Sequence, residues 1–380
     1  MKYILVINSG SATLKFKVFE KDSLKKIASG IVERIGLGGS FLESKISGRE
    51  FKINRAVKNH EEAFKLVLEQ LSKISNLKSE ISLVGHRVVH GGEEFTKPTI
   101  ITSVVLKKLS KYDKLSPLHN PANLMGIRAC LKLLPGAKNV AVFDTGFYKT
   151  LPDYAYTYAI PIDFYKKHAI RRYGFHGISH EYVAGEAAKI LGKPLAKLNL
   201  ITCHLGSGAS ITAIRGGKAV DTSMGFTPLE GLAMSTRSGD LDPAIPLYLI
   251  RELKIAPQEV DNILNKKSGL LGLSGFSDMR EVLVVAGYKV LGFKNKKVSA
   301  EKKKLAKIAL GVFVYRIKKY LGAYAAILGK VDAIVFTAGI GERNKTVRDL
   351  IMKDIKISGQ PRVLAIPTNE ELMIAKKIKK

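Results

Sequence analysis

A short apolar strand that runs into a small polar turn and returns as an alternating strand constrains this chain more than any other feature. Residues 3–7, YILVI, form a continuous apolar run of the length of a buried strand. Asn8, Ser9, Gly10 and Ser11 follow as a polar turn, where glycine permits φ > 0 and small side chains leave backbone N–H groups open. From Thr13 the pattern alternates, with Leu14, Phe16 and Val18 on one face and Lys15 and Lys17 on the other. A glycine–serine hinge with a lysine just past it suits an anionic phosphoryl group. An ordinary hairpin turn is the commoner reading of this stretch taken alone.

The arrangement recurs. Residues 198–203 read as an apolar strand, His204-Leu205-Gly206-Ser207-Gly208 as a second turn, and 210–215 as the returning strand. Identity between the copies is weak, so the inference is a duplicated architecture rather than a strict repeat. Around the first copy, strands are predicted near 25–32, 41–46, 51–56, 83–89 and 139–143, with helices over 61–77 and 121–134. Asn120 stands at the predicted N-cap of the second helix and Pro121 at its first position. A Tyr- and Pro-rich stretch at 148–165 reads as a boundary. Around the second copy, helices are predicted at 179–191, 243–253 and 258–266. A long helix begins near Ser299, with Leu305, Ile308, Val312 and Tyr315 as its buried stripe and 323–328 buried nearly all round. Strands at 333–337 and 362–367 and a short terminal helix complete the pattern. Strands and helices mixed in two similar halves predict a bilobal α/β protein with a cleft.

Composition narrows the class. The 380 residues suffice for two cores, and 46% hydrophobic residues with near-zero mean hydropathy indicate a soluble globular chain. No apolar run approaches the ~20 residues of a membrane span, and Met1 leads directly into a strand without a leader, so the cytoplasm is the expected compartment. Cys130 and Cys203 lie far apart with no C-x-x-C spacing, which argues against a disulfide framework or a zinc site. The net charge of +29 would fit a nucleic-acid binder. The lysines, however, gather in runs at 294–307 and 376–380 without interleaved aromatics or a nucleic-acid module. The expectation is a solvated basic surface that steers small anions, with no nucleic-acid or membrane partner.

Five segments are dense in functional side chains: Gly85–Gly92 with Arg87 and two histidines, Ser116–Pro121 with His119, Arg172–Gly177 with His176, Thr222–Pro228, and Ser235–Asp240 with Arg237. The pairs His86/His90 and His176/His180 have i,i+4 spacing. The first falls in a predicted strand, where it spans ~13 Å, and the second crosses a turn without the glutamate of a zinc-protease helix, so neither predicts a metal site. Gly339-Ile340-Gly341-Glu342-Arg343-Asn344-Lys345-Thr346 approaches a P-loop but has Asn344 where the second glycine is needed. Phosphoryl transfer fits what remains, because it asks a protein mainly to position reactants and neutralise charge. Arg87 and Arg237, one from each half, have the forked geometry that clamps a phosphoryl group. His176 can donate to the same group, and Asp144 and Glu370 are carboxylates of the kind that hold Mg²⁺.

Ten segments carry a resemblance: INSGSATLKF, GHRVVHGGE, PLHNPAN, VAVFDTGF, RRYGFHGISH, TCHLGSGAS, DTSMGFTPLEGLAMSTRSGDLDPAI, NKKSGLLGLSG, FTAGIGE and IPTNEEL. In this order they identify the chain as similar, over essentially its whole length, to the acetokinase family, within the superfamily of acetate and sugar kinases, heat-shock chaperones and actin. The resemblance implies a two-domain, actin-like (ribonuclease H-like) α/β fold with a duplicated core and an interdomain cleft. It places an N-terminal domain at 1–148, with the helix at 372–380 packed back on it, and a nucleotide-binding domain at 149–371. It implies reversible, direct in-line transfer from ATP to acetate, giving ADP and acetyl phosphate, in a homodimer that uses Mg²⁺, with Mn²⁺ able to substitute.

By motif, the resemblance assigns Arg87, Asp144, His176 and Arg237 to catalysis, and Asn8, Asp144 and Glu370 to the metal. Asn8, Ser11, Thr13 and Lys15 belong to the first phosphate turn, and His204, Leu205, Gly206, Ser207 and Gly208 to the second. Asp278, Met279, Arg280, Gly339, Ile340, Gly341 and Glu342 fall in the nucleotide pocket. Substrate contacts map to Arg87, His119 and the apolar Val89, Leu118, Phe175 and Pro228. The chain departs from the family pattern at Thr13, Ser207, Ser235 and Arg343, where the family usually has Ser, Asn, Gly and Asn, and the segment between Ile355 and Arg362 is shortened. Propionate kinase is the nearest alternative within the family. An actin-like ATPase without a carboxylate substrate is the alternative from another class, and a polyanion-binding protein on a retained scaffold is a third.

Overall fold

The opening apolar run forms strand β1 (Tyr3–Ser9), and the alternating stretch forms β2 (Thr13–Glu20) antiparallel to it, with Tyr3 opposite Glu20 and Ser9 opposite Leu14. The structure, a computed structural model, describes residues 2–74, 77–116, 119–293 and 297–379. The chain divides into two units. The first runs to Lys149 and adds His176–Ser179 and the residues from Asn369 onward; the second holds Thr150–Phe175 and His180–Thr368.

In the first unit, β3 (Lys26–Glu33), β4 (Phe41–Ile46) and β5 (Arg49–Asn54) extend the hairpin antiparallel. Helix α1 (His60–Leu71) then leads to β6 (Ile81–Val88), which pairs parallel with β1. After β7 (Thr99–Ile100), α2 (Ser103–Leu109) and α3 (Asn120–Leu133), β8 (Lys138–Phe143) pairs parallel with β6, giving the order β5-β4-β3-β2-β1-β6-β8-β7. Strand β1 is apolar from Tyr3 to Ile7 because both its faces are covered there. Leu5 and Ile7 pack with Phe64 and Val67 of α1 and Ala129 and Cys130 of α3, while Ile4 and Val6 pack on the opposite face. Strand β2 alternates because Lys15 remains exposed.

Two helix ends differ from expectation. Helix α1 begins where Asn59 accepts from the Glu62 N–H, and its acidic first turn complements the helix dipole. It stops at Leu71 rather than continuing to 77, because the chain tightens into three-residue turns: Lys73 N–H bonds Gln70 O, and the Ser72 hydroxyl donates to Glu69 O. In α3, Asn120 is the first helical residue and not the cap. Its amide instead brackets His90, accepting from the N–H at 3.1 Å and donating to the carbonyl at 3.0 Å.

The second unit begins with α4 (Asp153–Tyr156) and α5 (Asp163–His168), while α6 (Gly177–Leu191) starts within the first. Strand β9 (Asn199–Leu205) pairs antiparallel with β10 (Ala209–Arg215), which pairs antiparallel with β11 (Lys218–Thr222). Helices α7 (Ala244–Arg251), α8 (Pro257–Lys266), α9 (Gly269–Ser274), α10 (Met279–Ala286) and α11 (Ala300–Leu328) follow. Strand β12 (Ala333–Thr337) then pairs parallel with β9, and after α12 (Ala338–Arg343) and α13 (Lys345–Met352), β13 (Arg362–Ala365) pairs parallel with β12. The order β11-β10-β9-β12-β13 repeats β3-β2-β1-β6-β8 with the same directions, so the core is duplicated. The chain ends in the first unit as α14 (Glu370–Ile378), whose Ile374, Ala375 and Ile378 cover Ile4 and Val6.

The buried stripe of α11 is Ala306, Ala309, Leu310, Phe313, Ile317, Leu321, Tyr324 and Leu328. The expected stripe is wrong: Leu305, Ile308 and Tyr315 are exposed, and only Tyr324 and Leu328 are buried within 323–328. The helix carries two apolar stripes, and the one with small alanines faces its neighbours α9 and α10. Among the described residues no helix is long and apolar enough to cross a membrane.

The approach of α3 to β1 depends on Gly126, where an added Cβ would lie 2.1 Å from Ser9 Oγ and 2.9 Å from Ser9 Cβ. Gly126→Ala is therefore expected to destabilise the chain by about 1–3 kcal/mol through overpacking. Urea denaturation with an unchanged midpoint would contradict this packing.

Candidate functional site

In the first unit the chemistry gathers at the C-terminal ends of adjacent parallel strands. Arg87 and Val88 of β6 stand beside Val142 and Phe143 of β8, so Arg87 and Asp144 emerge next to each other. Arg87 Nη2 and Nε lie 2.6 and 3.1 Å from Asp144 Oδ2, and Nη1 lies 3.0 Å from Glu370 Oε2 at the start of α14. Lys17 holds that helix start, donating to the Asn369 side chain at 2.9 Å and pairing with Glu371 at 2.8 Å. Burial pushes the Asp144 carboxyl up to about 6; Arg87 opposes this and the nearby Glu370 charge reinforces it. Burial opposes the charged form of Arg87 as well, but the two carboxylates outweigh it and hold the guanidinium above its ordinary range. Both partners thus shift upward for different reasons. Asp144 Oδ1 is buried and accepts no hydrogen bond among the described residues, and the exception fits an oxygen kept open for a hard cation. No cluster of three or more His, Cys, Asp and Glu side chains suited to a metal occurs among those residues, so a cation there would keep waters.

His176 follows directly on Phe175 with φ of 58°, in the left-handed region that non-glycine residues enter at a cost. Ala338, the first residue of the helix that follows the strand 333–337, has φ of 62° as well. The first turn is closed by the Gly10 N–H to Thr13 O at 2.8 Å. His60 Nε2–H donates to Gly10 O at 2.7 Å, and Asn123 donates to Ser9 O at 2.6 Å while accepting from the Val89 N–H at 3.0 Å. Asn123 thereby ties the first turn to the segment after Arg87. Asn8 lies opposite Lys15 across the hairpin, with Ser11 at the turn between them. His119 precedes α3, and Leu118 lies outside the described residues.

In the second unit, residues 206–208 form one wall of a cavity of about 850 Å³. Asp278, Met279, Arg280, Gly339 and Ile340 also line it, as do Ser235, Thr236 and Arg237. The volume and the glycine-rich backbone suit a nucleotide. Arg280 pairs with Asp278 at 2.6 Å and lies 5.0 Å from the Phe293 ring. Arg237 Nη1 donates to Pro228 O at 3.3 Å, and burial holds its guanidinium below its ordinary range.

His204, Leu205, Gly341 and Glu342 stand outside the lining. Leu205 is fully buried, and His204 packs 6.1 Å from His180, which bonds Thr202 and Ser210. Phe175 is buried, and with Pro228 it belongs to the second unit; Val89 belongs to the first. Asn344, which breaks the P-loop pattern, caps α13 by accepting from the Val347 N–H at 3.0 Å.

Sequence reasoning missed His60 and Asn123, whose contacts join segments far apart in the chain. It also missed Ser277, Val290 and Leu291 on the cavity wall. Leu291 is fully exposed, and an unshielded leucine beside a lysine run was the available signal.

Two sheets of one strand order, each with a small polar turn after its central strand, define a two-sheet, actin-like α/β protein with a site suited to phosphoryl groups. The acetokinase family pattern matches residues 3–361, and the chain belongs to that family. It is 48% identical to an acetate kinase of Clostridium novyi over 404 aligned positions, covering 99% of this chain and 97% of the relative. It is 49% identical to an acetate kinase of Thermotoga petrophila over 407 positions, covering 99% and 98%. Among solved structures, the acetate kinase of Porphyromonas gingivalis superposes with a TM-score of 0.86 at 41% identity, covering 99% and 98% of the two chains. A propionate kinase from Francisella tularensis superposes with 0.90 at 39% identity, covering 99% of each.

Three buried histidines predict acid sensitivity. Burial holds His86 down at about 4, partly offset by its bond to Asn139; burial also holds His90 at about 3, and burial plus His204 keep His180 well below its ordinary range. Below ~6.5 the unfolded chain takes protons that the native chain refuses, so their stabilisation is complete above that pH and is lost as pH falls toward 4. His86→Gln should flatten the fall of denaturation free energy between pH 6.5 and 4 by up to one proton equivalent. Parallel slopes for the variant and the parent would refute this.

Proposed function

We propose that the chain transfers a phosphoryl group reversibly between ATP and acetate, giving acetyl phosphate and ADP. The observation that supports this reading most is the cluster of Arg87, Asp144 and Glu370: a forked cation beside a buried, open carboxylate oxygen at the ends of two parallel strands. In the proposed mechanism the nucleotide occupies the cavity lined by residues 206–208, 278–280 and 339–340. Asn8, Ser11, Thr13, Lys15 and His204 supply further phosphate contacts, with Leu205, Gly341 and Glu342 supporting the turns. Arg87 and Arg237 bind the equatorial oxygens as charge spreads over them, and His176 donates to the same group. Asp144, Glu370 and Asn8 would hold Mg²⁺, which when bound neutralises charge on the phosphates. His119 is assigned to the acid, and Val89, Phe175 and Pro228 to apolar contacts with its methyl group.

One methylene is worth only ~1–3 kcal/mol in an apolar pocket, so propionate is expected as a slower substrate. The likeness to a propionate kinase makes that the comparison to run. A hydroxamate assay with acetate, propionate and butyrate tests the reading. Acetyl phosphate should form, and Arg87→Ala or Arg237→Ala should lower kcat/KM by roughly 10³-fold or more, the scale of a phosphoryl-binding arginine. Acid-independent ATP hydrolysis with no acyl phosphate would instead favour the actin-like ATPase.

A homodimer is also proposed. Helix α7 has the sequence AIPLYLIR yet buries no residue within the chain, leaving Ile245, Leu247 and Tyr248 exposed. An exposed apolar helix face of this kind marks an interaction surface. Leu247→Asp combined with Tyr248→Glu should shift the sedimentation coefficient from dimer to monomer; a monomeric parent would dismiss the assignment. Both cysteines are free and buried, in keeping with the cytoplasm as the proposed compartment.

A further inference from the structure

We propose that Tyr158, Arg172 and Glu230 are positioning residues that set the loop of residues 222–231, and through it Pro228, for binding the acid. The inference rests on the kinase reading above and extends it to side chains that touch no reacting atom. The loop is irregular but enters the interior: Thr222, Ser223, Met224 and Gly225 are buried. Buried irregular backbone needs hydrogen-bond partners from outside itself. Arg172 supplies them to three consecutive carbonyls, with Nη1 3.1 Å from Thr222 O, 3.4 Å from Ser223 O and 3.1 Å from Met224 O.

The guanidinium's other arm pairs with Glu230 Oε1. Glu230 Oε2 accepts from the Tyr158 hydroxyl, and that hydroxyl oxygen accepts from the Phe226 N–H at 2.9 Å. One guanidinium, one carboxylate and one phenol thus grip both ends and the middle of the loop. Gly225 passes so close that an added Cβ would lie 1.6 Å from Glu230 Oε2 and 2.1 Å from Tyr158 Oη, so the knot admits no larger residue.

The loop transmits this geometry in two directions. Gly225 O accepts from the N–H groups of Tyr173 at 3.0 Å and Gly174 at 3.4 Å, which sets the backbone just before Phe175. At the other end Pro228 O accepts from Arg237 Nη1 at 3.3 Å. None of the three positioning side chains lines the 850 Å³ cavity, and the loop reaches its wall through the 3.3 Å bond from Arg237 to Pro228 O, so the acid is expected to feel the loop more than the nucleotide does. The Arg172–Glu230 pair is only partly buried and by itself adds little stability. Fixing one loop conformation is what these three groups contribute.

The test uses the full chain with Tyr158→Phe, Glu230→Gln and the double variant, measuring kcat, KM for acetate, KM for ATP and the melting temperature. Each single variant should raise KM for acetate about five- to twentyfold while KM for ATP stays within about twofold. Because both substitutions open the same knot, the double variant should be no worse than the more damaging single one. Tyr158→Phe removes one hydroxyl and carries the test if Glu230→Gln does not fold. Acetate and ATP constants rising together, or melting temperature falling with kinetics unchanged, would overturn the proposal. An active parent with variants indistinguishable from it would overturn this proposal alone, whereas a parent forming no acyl phosphate would overturn the kinase reading and this proposal together.

Discussion

A central strand that pairs antiparallel along one edge and parallel along the other dictates what each sheet can hold. Strand β1 turns straight back as β2, while β6 and β8 arrive later and run with it; β9 relates to β10, β12 and β13 in the same way. Parallel strands deliver their C-terminal ends to one edge, where their last side chains and following turns stand together. That is why Arg87 and Asp144, far apart in sequence, are hydrogen-bonded neighbours. The polar turns after β1 and β9 occupy the corresponding ends of their own sheets, each closed by a glycine N–H, Gly10 to Thr13 O and Gly206 to Gly208 O.

The strands and turns were legible because their signals are local. An apolar run covered on both faces reads as continuous, and a strand with one wet face alternates, so β1 and β2 followed from their own residues. The long helix α11 misled for a related reason. It carries two apolar stripes, and periodicity cannot say that Ala306 and Ala309, with little side chain to score, lie inside while Ile308 and Tyr315 lie outside.

The parts of the site that escaped the sequence are those made by single side chains reaching across the fold. Asn120 has the residue type and position of a helix cap, but both ends of its amide are taken by His90, and a tertiary demand overrode the local one. His60 closes on Gly10 across fifty positions, and Asn123 bridges Ser9 and Val89. Histidine at the start of a helix and asparagine within one have no local pattern that names such partners. Arg87 and Asp144 were legible because they stand at the ends of strands, where the topology concentrates chemistry, whereas His119, His176 and Arg237 lie on loops between other elements and were marked by their glycine- and proline-rich surroundings.

Three of the four residues at which the chain departs from the expected family pattern share a location; Thr13, in the other unit, does not. Ser207, Ser235 and Arg343 all line the same cavity, and the Ser235 N–H bonds Ser207 O at 3.1 Å. Two of the substitutions are therefore one local change: the shorter side chain at 207 and the added side chain at 235 sit on hydrogen-bonded backbone. Arg343 adds an exposed guanidinium to that wall, paired with Glu342 at 3.1 Å. The cluster of Arg87, Asp144 and Glu370 belongs to the other unit. A change confined to one wall of a cavity alters what that cavity holds before it alters chemistry carried by other side chains. If that cavity takes the nucleotide as proposed, the consequence falls on nucleotide binding, because the wall carries a shorter polar group at Ser207 and an exposed guanidinium at Arg343.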